Sequence, residues 1–136
     1  EQDLSLLNGL TLDVEHDHSG ISTFAVVRDE PIPGAALALF IEVLAQHLGP
    51  RLLRIKGVVA LREAPAMPAL VQGAQHVFHP IDFLSGWPDN DTRTRLVFIG
   101  EEIQREWVEV VLDAIIWEVE EKTVHQGSIP DSASPI

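Results

Sequence analysis

The stretch from Arg51 to Gly100 constrains the fold most. Three apolar segments, LLRIKGVVAL, VQGAQHVF and TRLVFI, follow one another with only connecting chemistry between them. Over residues 52–62, Leu53, Ile55, Val59 and Leu61 alternate with Arg54, Lys56 and Arg62. A period of two on a pleated backbone sends the two sets to opposite faces, which is the pattern of a half-buried strand. EAPAMP reads as a turn or short loop and residues 69–78 as a second strand, so the two strands form a hairpin. A long connection, HPIDFLSGWPDND, carries Pro80, Gly86 and Pro88 and leads to a third strand over 94–99. Polar residues are unusually placed here. Gln72, Gln75, His76 and His79 crowd the second strand, and Arg93 and Arg95 open the third.

The flanks supply the remaining elements. ISTFAVVR, residues 21–28, is rich in β-branched and aromatic residues and reads as a strand. AALALFIEVLAQHL reads as a helix, because Leu37, Phe40, Ile41, Leu44 and Leu48 fall on one stripe. Gly49-Pro50 stops it, since Gly accepts a left-handed cap and Pro cannot continue a helix. A last helix is expected from Glu102 to Glu121, with Ile103, Trp107, Val110, Val111, Ala114 and Ile115 as its apolar stripe. The order β-α-β-β-β-α implies an α+β fold: a mainly antiparallel four-stranded sheet with both helices packed on one face. The first β-α-β unit should bring its two strands parallel through a right-handed crossover. Residues 1–20 read as an interdomain linker with a histidine pair, 21–121 as the domain, and 122–136 as a flexible tail. The chain starts without Met and is read as a piece of a longer protein or as a processed one.

Charge and composition exclude several functions. The 136 residues carry 21 acidic and 9 basic side chains, a formal net charge of −12. Nucleic acid needs a clustered basic surface, and an anionic membrane would repel this chain, so neither is an expected partner. No apolar run approaches the roughly 20 residues that span a bilayer. With no cysteine, disulfides, thiolate metal sites and cysteine nucleophiles are absent, which fits a cytoplasmic protein. There is no phosphate-cradling G-x-x-x-x-G-K-[ST] loop and no nucleophile elbow. No residue is assigned a catalytic role.

Three groups of residues can carry chemistry. His16 and His18 project to one side of an extended backbone and can meet one metal ion, such as zinc or cobalt, weakly. The bland reading is a solvated linker. His76 and His79, three apart, face opposite sides of a regular strand, so His76 reads as packed and His79 as an exposed residue that joins a metal site only if the strand bends. Arg54, Lys56, Arg93 and Arg95 form a local anion site, an interdomain ion-pair surface or an ordinary solvated sheet face.

Several segments together resemble a known family. EHDHSGISTF, PIPGAALALFIEVLAQHLG, LLRIKGVVAL, VQGAQHVFHP and WPDNDTRTRLVFIG, in this order over about residues 14–117, are similar to the C-terminal domain of CobW-like metallochaperone GTPases. The resemblance implies a non-catalytic α+β domain joined to an N-terminal GTPase domain. That other domain would hold the P-loop, magnesium, GTP and a Cys-x-Cys-Cys metal motif, none of which lies in this chain. It further implies cobalt or zinc delivery, in cobalamin biosynthesis or another maturation route. The implied partners are the chain's own GTPase domain and a client metalloenzyme or metal chelatase.

The function expected is therefore interdomain and partner-protein docking, through Gln72, Gln75, His76, Arg54, Lys56, Arg93 and Arg95. The alternative is a weak divalent-metal-binding or buffering domain that uses surface histidines. A stand-alone enzyme is a third reading with no catalytic constellation behind it.

Overall fold

The computed structural model describes residues 16–18, 20–75 and 77–133, with side chains for 20–75 and 77–123. Its strands are β1 (His16–His18), β2 (Ile21–Arg28), β3 (Leu52–Leu61), β4 (Ala64–Ala74), β5 (Val77–Phe78), β6 (Asp82–Phe83) and β7 (Thr94–Glu101). Its helices are α1 (Gly34–Leu48) and α2 (Arg105–Ala133). They make one antiparallel sheet of order β1-β2-β7-β3-β4-β5, with β6 also paired to β4. The four long strands are those expected, and the short β1, β5 and β6 are additions. β2 and β3 run in the same sense, because both are antiparallel to β7, but β7 is inserted between them. They approach directly through a parallel bridge between Ile32 and Leu61 just past the end of β2.

One face of the sheet and both helices share a core. Phe24, Val26, Ile55, Val71, Leu96 and Phe98 from the sheet meet Leu37, Phe40, Leu44 and Leu48 of α1 and Val108 and Leu112 of α2. Phe24 and Phe98 are register partners on β2 and β7, and their rings stack with centroids 5.2 Å apart. β3 and β7 run so close that a Cβ on Gly57 would lie 1.9 Å from the Arg95 carbonyl oxygen, so only glycine fits there.

The sequence reading needs correction in four places. Leu52, not Leu53, enters the core, because the β3–β7 register shifts between Leu52 and Arg54. EAPAMP is not a loop. β4 already begins at Ala64, with a register shift between Val59 and Leu61 that accommodates the prolines. The second strand does not run through to residue 78: it ends at Ala74, Gln75 takes a φ of 53°, and β5 folds back on β4. Finally, α2 continues to Ala133, beyond the expected end at Glu121, and its buried stripe is Val108 and Leu112, leaving Val110 and Ala114 on the solvent side. Val108 and Leu112 are four apart, one helical turn, and lie nearly opposite Val110 on the helix circumference.

Candidate docking surface

The second face of the sheet divides into two halves. The connection between β5 and β7 folds over one half. Leu84 and Trp87 pack on Val58 and Leu70, forming a small apolar cluster separate from the main core. The Trp87 indole Nε1 donates to the Pro65 carbonyl at 2.9 Å, and the Leu84 amide donates to the Pro68 carbonyl at 2.9 Å. Both prolines lie on β4, so the connection is pinned along that strand.

Arg95 belongs to this covered half. It is 5% exposed. Its Nη2 donates to the Asp91 carbonyl at 2.9 Å, and its Nη1 lies 3.4 Å from Asp89 Oδ2. Burying a guanidinium is tolerated because two carboxylates and two carbonyls meet it. Arg93 lies just before β7 and holds the Asp91 carboxylate with Nε and Nη2, both at 2.9 Å. Hydrogen bonds from the Arg93 side chain lower the Asp91 carboxyl to about 2; partial burial opposes this, while the Arg93 amide and the Arg95 charge add to it. These two arginines therefore organise a loop. Arg95 in particular is not part of an exposed cationic surface, which corrects the sequence reading: strand alternation gave its face but not the loop that covers that face.

Arg54 and Lys56 lie at the other end of β3. Lys56 stands opposite Gln72 on β4 and opposite Val97 on β7, while Arg54 stands opposite Ala74 and Ile99. Arg54 is exposed and Lys56 and Gln72 are half-buried. Among the described residues, neither Arg54 nor Lys56 makes an ion pair. The turn after β4 brings His79 to this end, where its amide donates to the Gln72 carbonyl at 2.9 Å. Gln75, exposed in that turn, donates its amide to the Leu53 carbonyl at 3.1 Å. Arg54, Lys56, Gln72 and His79 line a shallow concavity of about 220 Å³. The fold thus gathers Arg54, Lys56, Gln72, Gln75 and His79 and removes Arg93 and Arg95. His76 lies outside the described residues.

The metal candidates fare differently. His79 sits beside two cations, a poor setting for a divalent ion. The β1 backbone places His16 opposite Thr23 and His18 opposite Ile21, and their side chains lie outside the described ones. Among the described residues, no group of three or more His, Asp or Glu side chains is arranged to hold a metal ion.

A second concavity, of about 320 Å³, lies where the C-terminal end of α1 meets the start of α2, lined by His47, Arg51, Glu102 and Trp107 among others. The Arg51 guanidinium is committed there to the Glu102 and His47 carbonyls, at 3.0 and 3.3 Å. It acts as a clasp between elements. Among the described residues no helix is long and apolar enough to cross a membrane.

Comparison with known proteins gives the following. Residues 21–116 match the family described as the cobalamin synthesis protein cobW C-terminal domain. Among solved structures, the zinc-bound YjiA GTPase from E. coli is similar, with 25% identity, a TM-score of 0.62, and coverage of 71% of this chain and 30% of that one. A zinc-bound triple mutant of YjiA is similar at 26% identity and a TM-score of 0.63, with the same coverage. This chain therefore corresponds to about 30% of the length of the structures it matches. No sequence among curated proteins matches it.

Proposed function

Because this chain belongs to the cobW C-terminal domain family, we propose that it serves as the non-catalytic C-terminal domain of a GTP-dependent metallochaperone and docks on the GTPase part of its parent protein. The observation that carries the reading is the pair of cations on β3, Arg54 and Lys56, which lack a carboxylate partner among the described residues in a chain of net charge −12. Four other cations have carboxylate partners, Arg28 with Asp113 at 2.9 Å, Arg62 with Glu120, Arg93 with Asp91 and Arg95 with Asp89 and Asp91, while Arg51 is held by backbone carbonyls. A cationic strip flanked by Gln72, Gln75 and His79 suits an acidic surface of the GTPase domain. Such complementarity steers association and fixes orientation more than it adds raw affinity.

The metal and the nucleotide enter this reading through the parent protein. The similar solved GTPases hold zinc, and the family description points to cobalamin synthesis. Delivery of zinc or cobalt to a client is the corresponding role. In this reading the chain itself supplies a surface whose engagement changes with the nucleotide on its partner domain. The purified chain mixed with GTP and magnesium should show neither hydrolysis nor heat of binding. Micromolar GTP binding would contradict the assignment.

A further inference from the structure

The helical layer carries a second surface, on the opposite side of the sheet from Arg54 and Lys56. Val110 is 65% exposed and Trp117 is 62% exposed, both large and apolar, and both on the outer side of α2. With the exposed Ala114 they form one ridge at spacings of four and three residues. Glu106 lies one turn before Val110 and Glu121 one turn after Trp117, and both are exposed. Three other acids of this helix are paired from the sheet side, Glu109 and Asp113 with Arg28 and Glu120 with Arg62, while the exposed Glu118, off the ridge, has no ion pair among the described residues. Glu106 and Glu121 make no ion pair among the described residues.

We propose that this ridge, Glu106-Val110-Ala114-Trp117-Glu121, is a docking site for a cationic amphipathic helix of a partner protein. Val110 and Trp117 would take the partner's apolar stripe, in the manner of a helix-on-helix contact. Glu106 and Glu121 would pair with its Lys or Arg side chains, and the Trp117 ring offers a face for a cation. Charge decides the occupant. A second copy would bring Glu106 and Glu121 against an equally acidic ridge in a chain of net charge −12, so self-association is opposed. The surface also lies across the molecule from the cationic strip on β3. The two can be engaged together, so the domain can bridge two partners.

The test uses the full chain and a synthetic amphipathic Leu/Lys helix, read by anisotropy of the labelled peptide. The wild type binds this peptide and not its Leu/Glu counterpart. Trp117→Ala weakens binding at least about tenfold, as expected of an interface anchor, and Glu106→Gln/Glu121→Gln weakens it and flattens its salt dependence. Glu101→Gln leaves it unchanged, and the exposed substitutions leave the denaturation midpoint unchanged. The proposal is overturned by equal binding of the Leu/Glu peptide, by undiminished binding in Trp117→Ala, or by a loss in Glu101→Gln equal to that in Glu106→Gln/Glu121→Gln. Dimerisation of the wild type that is lost in Trp117→Ala, seen by sedimentation, would assign the ridge to a second copy and overturn it too.

Discussion

Arg95 meets Asp91 twice: its Nη2 donates to the Asp91 carbonyl at 2.9 Å and its Nη1 lies 3.7 Å from Asp91 Oδ2. The contact ties the start of β7 to the loop before it while the Arg95 side chain stays 6% exposed. Replacing Arg95 by Glu would bury a third carboxylate beside Asp89 and Asp91 in place of a cation that meets them both. Arg95→Glu is expected to destabilise the chain by about 3–5 kcal/mol, the cost of breaking a buried pair. Arg93→Glu, at a pair whose arginine is 40% exposed, should cost only about 0–1 kcal/mol. Urea denaturation of the two variants checks the contrast. Equal midpoints would mean that Arg95 is solvated.

Asp91 gives the loop a pH dependence. Its folded-state carboxyl is lowered to about 2 from 3.8, chiefly by the Arg93 side chain. A depressed acid contributes stability above its unfolded pKa and loses it as pH falls through the folded one. The contribution should therefore be complete above about pH 4 and fade towards about pH 2. Asp91→Asn should be less stable than the wild type near neutrality, and the gap should narrow across that window. A constant gap down to about pH 2 would remove Asp91 from the acid response.

Core packing supplies a control on the fold. Leu44 is fully buried against the sheet, so Leu44→Ala should cost about 2–5 kcal/mol. Gly57→Ala places a methyl group against the β7 backbone and should cost about 1–3 kcal/mol as overpacking. Calorimetric unfolding tests both, and midpoints equal to that of the wild type would mean that these faces are not in contact.

Much of this architecture is legible in the chain. The stripe Leu37, Phe40, Leu44 and Leu48 marks α1, and the alternation around Ile55 and Lys56 marks β3, because both signals are local and periodic. Positions set by distant partners are not legible in this way. Gln75 turns the chain at a φ of 53° although no Gly or Pro marks the place. Val110 looks like core on spacing alone, yet the pull of Val108 and Leu112 rotates it outward. Arg95 reads as a surface cation until the connection from β5 folds over it. The site was partly visible for the same reason. Alternation puts Arg54 and Lys56 on one face, but the arrival of His79 beside Gln72 depends on the fold-back at β5.

The β3 cations carry the functional reading, and their reversal tests it most directly. Binding of the full chain to the separately expressed GTPase domain of its parent should be measured by titration calorimetry at low and high salt. The wild type is expected to bind, and more weakly as salt screens the contact. Arg54→Glu/Lys56→Glu should bind at least about tenfold more weakly at low salt, as like charges are brought together across the interface. Stability should be unchanged, because neither side chain has an ion-pair partner to lose among the described residues. Equal affinity of wild type and variant at both salt levels would contradict the account and leave Arg54 and Lys56 as an ordinary solvated strand face.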